Sequence, residues 1–108
     1  DTAADNVWRA ASSRADGQSI TVELPASASI TEVVLDSTDL NNFYSRSYRI
    51  EFSEDGDDWQ QVIYNPVGTA YDRNQTLGHR AKFVRITNQA GGTRREWRIR
   101  ELDIIGSY

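Results

Sequence analysis

Cysteine is absent from this chain of 108 residues, which excludes disulfides and thiolate chemistry. Histidine is present once, as His79. A Ser–His nucleophile pair would rest on that residue alone, with no G-x-S-x-G elbow to present the serine. One histidine and no cysteine also leave zinc poorly supported. Positive charge is not in excess: the net charge of −4 gives no general attraction to nucleic acid or anionic lipid. No apolar run approaches the roughly 20 residues of a membrane-spanning helix. No stretch keeps a helical period over roughly 11 residues or more.

What the chain does have is alternation. A charged fraction of 26% and a hydrophobic fraction of 38% are those of a soluble globular protein, and the length suits one domain with one core. Ile20, Val22 and Leu24 alternate with Thr21 and Glu23 up to Pro25, where a residue without an N–H ends the strand. Ile30, Val33 and Leu35 mark the next strand. Tyr48, Ile50 and Phe52 alternate with Arg49, Glu51 and Ser53, and Asp55-Gly56 supplies the reversal that lets Trp59, Val62 and Ile63 return as a hairpin. Val84 and Ile86 form a further strand, and Trp97, Ile99, Leu102 and Ile104 close the core. About seven short strands separated by turn signals predict an all-β protein, an antiparallel β-sandwich or jelly roll.

Two stretches carry more than connection. Asp36–Ser45 sets Asp39, Asn41 and Asn42 beside Phe43 and Tyr44. Amides and carboxylates take sugar hydroxyls while an aromatic face covers the C–H side of a sugar ring. The plain alternative is a loop of turn-forming Asn and Asp with Phe43 tucked into the core. Asn65–Arg80 reads as a second loop, with Tyr71, Asp72, Arg73 and Asn74 in four successive positions. Asn74-Gln75-Thr76 also spells an N-glycosylation sequon, which chance explains as well. Arg9–Gly17 reads as a small, polar loop. The arginines at 94, 95, 98 and 100, broken by Glu96 and Glu101, suit a solvated strand face better than a nucleic-acid patch. Asp57-Asp58 sits beside Asp-Gly in a hairpin turn, where turn propensity explains it; spacing in sequence does not exclude a glycosidase carboxylate pair, but no feature favours one.

The hairpin, Y-R-I-x-x-S-x-D-G-x-x-W-x-x-V, resembles the central signature of discoidin-like (coagulation factor five/eight type C) domains. Gln18–Leu35, Ala81–Thr87 (AKFVRIT) and Trp97–Gly106 (WRIRELDIIG) match the same family in order, so the resemblance covers nearly the whole chain. Family 32 carbohydrate-binding modules share this galactose-binding-like fold and stand nearest. The resemblance implies one domain over residues 1–108, excised from a larger secreted, multi-domain protein and lacking the family's usual first strand. Many animal members carry a disulfide joining their ends, and its absence here favours a microbial module.

Asp1–Trp8 resembles the family's D-G-D-x-x-T-x-W loop, with Thr2 and Ala3 departing from it. In relatives this loop and a glutamate of the last strand hold calcium, which implies Asp1, Asn6 and Glu101 as ligands, with Asp5 available if the register slips. Calcium takes about 6–8 oxygens, and a solvated N-terminal loop is the competing reading.

The resemblance implies no enzyme but an ancillary module of a glycan-degrading one, which targets it to substrate. Tyr44 would stack on a sugar, with Tyr71 as a second platform. Asp39, Asn42, Arg73 and Asn74 would bind hydroxyls. Expected partners are a mono- or oligosaccharide and the other domains of the parent, with neither nucleic acid nor membrane insertion. Two rivals stand: a cell-surface, lipid or protein adhesion module, against which Arg9–Gly17 offers no large apolar tip, and a structural spacer. Exposed tyrosines at 44 and 71 would favour sugar binding; buried ones would favour the spacer.

Overall fold

The structure, a computed structural model, describes residues 6–15, 19–38, 47–88 and 97–108. Six strands run through them: β1 Asn6–Ala15, β2 Ser19–Asp36, β3 Tyr48–Ser53, β4 Gln60–Asn65, β5 Tyr71–Asn88 and β6 Trp97–Ser107. All pairings are antiparallel, in a sheet of order β1-β6-β2-β5-β3-β4. None of the described residues is helical, so no described helix is long and apolar enough to cross a membrane.

The long strands explain the shape. β2 and β5 have 18 residues each, which laid straight would span about 60 Å at about 3.3 Å per residue. The molecule is only 42 Å in its longest dimension, so the ribbon bends. Pairing of β2 with β5 lapses between Glu23 and Ala28 and shifts again between Ile30 and Glu32. Opposite, Leu77 and Gly78 take positive φ angles of 56° and 78°. Pro25 falls in the lapse, where no N–H is needed; the ladder stops locally and the strand resumes.

Either side of the bend, the ribbon belongs to a different layer. Ser19–Glu23 and Phe83–Thr87 lie with β3 and β4, whereas Ala28–Asp36 and Tyr71–Ala81 lie with β6 and β1. One sheet thus folds over itself as an antiparallel sandwich. Tyr48, Ile50, Phe52, Val84 and Ile86 meet Ile30, Val33, Leu35, Leu102 and Ile104 in a single core, edged by Trp8, Ile20, Val22, Val62 and Ile63. Gly106 permits the close approach of β6 to β2: a Cβ there would stand 2.2 Å from the Ser29 carbonyl oxygen.

The expected all-β sandwich is borne out, with three differences. The two strands read around Pro25 are one. Residues 9–15, read as loop, belong to β1, and Tyr71–Arg80, also read as loop, form the first part of β5.

The fold separates two ends. Asp36 pairs with Tyr71 and Glu101, Tyr48 with Asn65 and Asn88, and Ser19 with Thr87. The strands flanking residues 16–18, 37–47, 66–70 and 89–96 therefore terminate together. The β3–β4 turn and the ribbon bend occupy the opposite end.

Candidate functional site

At the first end one tyrosine organises the strand termini. Tyr48 opens β3 with its ring in the core, 1% exposed, and its hydroxyl lies between the layers. That hydroxyl donates to Asp72 Oδ2 at 3.0 Å and accepts from Asn74 Nδ2 at 2.9 Å and Asn65 Nδ2 at 3.1 Å. Burial is the main reason its pKa is pushed up to about 12.

The same partners hold the β4–β5 connection. Asp72 accepts from the Thr69 N–H at 3.0 Å and the Thr69 hydroxyl at 2.6 Å. Asn65 Oδ1 accepts from the Val67 N–H at 2.9 Å. The Ser37 N–H donates to the Ala70 carbonyl at 2.6 Å, joining the start of the β2–β3 connection to this platform. Thr38 is tied back through its N–H and hydroxyl, which both donate to Asp36 Oδ1. The two stretches singled out in the sequence are therefore neighbours at one braced end. Val67, 74% exposed, and Tyr71, 49% exposed, stand out from it.

The expected sugar-binding residues divide. Asp39, Asn42 and Tyr44 lie outside the described residues. Tyr71 and Arg73 sit on β5 rather than in a loop, and both are exposed. Arg73 already makes a two-pronged pair with Glu32, Nε to Oε2 at 2.9 Å and Nη2 to Oε1 at 2.8 Å. Asn74 is buried on the opposite side of the same strand, donating to Tyr48 Oη and, at 3.3 Å, to the Val33 carbonyl. Strand alternation sends neighbours to opposite faces, so Arg73 and Asn74 do not share a surface.

The calcium set divides as well. Asp1 and Asp5 lie outside the described residues. Asn6 is paired with Gly106, whereas Glu101 is paired with Ala11. Among the described residues no group of three His, Cys, Asp or Glu side chains could hold a metal. His79 is exposed beside the ribbon bend, far along β5 from Tyr71.

The sequence reading missed the Tyr48–Asp72–Asn74 network. Its available signal was the run Asp72, Asn74, Thr76, polar residues at every second position, which is strand spacing with the polar face inward.

Comparison with known proteins follows the same outline. A family model described as the F5/8 type C domain matches residues 1–102. No curated protein matches the chain. Among solved structures, it is similar to a variant of chitosan-binding module 1 from a chitosanase/glucanase of Paenibacillus sp. IK-5. That likeness has 25% identity over 93% of this chain and 75% of that one, with a TM-score of 0.73. It also shares its fold with CpGH89CBM32-6, produced by Clostridium perfringens, at 22% identity over 94% of this chain and 76% of that one, TM-score 0.67. A family 89 glycoside hydrolase from Clostridium perfringens contains a similar unit, at 20% identity and TM-score 0.68. There the match covers 94% of this chain but 11% of the hydrolase.

Proposed function

This chain belongs to the F5/8 type C domain family, and from that membership we propose that it is a non-catalytic carbohydrate-binding module. The observation that carries the reading is Tyr71, half-exposed next to a connection locked by Asp72 and Thr69. Burial of that ring in the core would favour a spacer; its exposure favours a sugar-binding end. The similar chitosan-binding module supports the same class of ligand.

In this proposal Tyr44 stacks on a sugar ring and Tyr71 offers a second platform. Asp39 and Asn42 take hydroxyls, and Arg73, fixed by Glu32, presents its remaining N–H groups at the rim. Asn74 leaves the set, because its amide is used in the interior. The module acts outside the cell, joined to a glycan-degrading catalytic domain. It raises that domain's effective concentration at its substrate. A shallow site of a few residues gives an affinity on the order of micromolar to millimolar.

An amide-shift NMR titration with galactose, N-acetylgalactosamine, glucose and plant and fungal oligosaccharides tests this. Saturable shifts grouped at residues 38–47 and 69–73 are expected, and Y71A weakens them. A folded sample that stays silent across the panel overturns the proposal.

Calcium is a separate proposal, held by Asp1, Asn6 and Glu101 together with backbone carbonyl oxygens. Its expected signature is a melting temperature that rises with added calcium and falls in chelator. Equal melting in both would remove the ion from the account.

A further inference from the structure

We propose a second ligand site at the opposite end of the sandwich: the cleft between the β3–β4 turn and the ribbon bend, which takes one protonated amino-sugar ring. The cleft encloses about 290 Å³. That is at the small limit of ligand pockets, which run from about 300 to 1,000 Å³, and suits one ring better than a chain.

Its walls differ in chemistry. Val62, half-buried, provides the apolar floor, with Phe52 almost wholly buried at its base; Glu54 and Asp58 stand on the turn side, and His79 and Arg80 on the bend side. Ser27 links the two sides. Its hydroxyl donates to Glu54 Oε1, and Arg80 Nη2 donates to the Ser27 carbonyl at 3.1 Å and hydroxyl at 3.3 Å. Asp55 also lines the cleft, but its Oδ1 already accepts the N–H groups of Asp57 and Asp58, so it serves the turn.

Each wall selects part of the ligand. The floor covers the C–H face of a ring and would give nothing to a bare cation. Arg80 and Gln60 donate toward hydroxyl or ring oxygens. Glu54 and Asp58 accept from an ammonium group and its neighbouring hydroxyl through charge-assisted hydrogen bonds. The three carboxylates of the lining, Glu54, Asp55 and Asp58, outnumber its two basic side chains, His79 and Arg80, so a positively charged ring is preferred to a neutral one. None of these residues belongs to the end that carries Tyr71, and the site stands whether or not that end binds glycan.

The test is an amide-shift titration with glucosamine at mildly acidic pH, alongside glucose, N-acetylglucosamine and lysine amide. Glucosamine should give saturable shifts at Glu54–Gln60 and His79–Arg80. Glucose and N-acetylglucosamine should bind there roughly tenfold more weakly, the loss expected of one charge-assisted hydrogen bond. The double variant E54Q/D58N should lose the glucosamine shifts while keeping the spectrum of the core. E54Q alone provides the same readout if D58N disturbs the turn. Four outcomes overturn the proposal: no saturable shifts at the cleft, equal binding of glucose, lysine amide binding as tightly as glucosamine, or full binding by the variants. Shifts confined to residues 38–47 and 69–73 would defeat this site and leave the first reading intact.

Discussion

Tyr48 is a core residue by burial and a polar hub by function, and the two roles can be separated. In Y48F the ring still fills its place, but Asp72 loses a donor while Asn65 and Asn74 lose an acceptor. Asn74 is buried, so its amide falls back on the Val33 carbonyl alone. Urea denaturation should show a loss of about 1–3 kcal/mol, the usual cost of leaving buried polar groups short of partners. The pKa of Tyr48 adds a pH signature. It is raised from 10.0 to about 12 in the fold, so the folded state holds the proton more tightly than the unfolded chain. That contribution is complete below the unfolded value and is lost as pH climbs through the folded one. The stability advantage of the wild type over Y48F should therefore shrink from pH 10 to pH 12, by on the order of 2–3 kcal/mol. A difference that stays flat across that window would show that the hydroxyl does not titrate with folding.

Among the described elements, the bent β2–β5 ribbon holds a sharp local conflict. Leu77 has a φ of 56° and is 88% exposed, so it takes a left-handed conformation that burial does not repay. Asparagine tolerates that conformation much better, so L77N should raise stability by about 0.5–1 kcal/mol. A measured loss would mean that the leucine side chain has a contact worth more than the strain.

The same ribbon marks where the sequence was legible. The β3–β4 hairpin was fully so, because its signals are local: alternating Tyr48, Ile50 and Phe52, then Gly56 at a φ of 85°. Ser53 Oγ accepts the Gly56 N–H at 2.8 Å, and Arg85 lies 4.1 Å over the Trp59 ring to pin the returning strand. The first part of β5 was not legible. Its inward residues Asp72, Asn74 and Thr76 are polar, so apolar alternation is missing, and their partners lie 24–46 residues away in sequence. β1 was unreadable for a related reason. Its residues after Trp8 are small or charged, and pairing with β6 from the far end of the chain makes it a strand. The sequon fails in the same way: Asn74 and Thr76 are 9% and 1% exposed, so the folded domain does not offer them to a glycosylating enzyme. Of the sugar-binding set, side-chain type was readable at Tyr71 and Arg73, but the face of the strand was not.

For the whole molecule, sharing one ribbon between two layers has a consequence for unfolding. Neither layer owns its inner strands, since β2 and β5 pass through both. The Tyr48 hydroxyl adds hydrogen bonds that cross from β3 to the other layer's stretch of β5. Separating the layers would expose the single core from both sides and open that network at once. The cost of a half-folded state therefore approaches the cost of unfolding everything, which is the condition for two-state behaviour in a small domain. A residue-resolved urea titration by NMR should give Ile50 and Ile63, from one layer, the same midpoint as Trp8 and Leu102, from the other. Y48F should move all four midpoints together to lower urea. If Trp8 and Leu102 instead unfolded first and left Ile50 and Ile63 protected, the β1–β6 layer would be an independent unit and the ribbon would not couple the two.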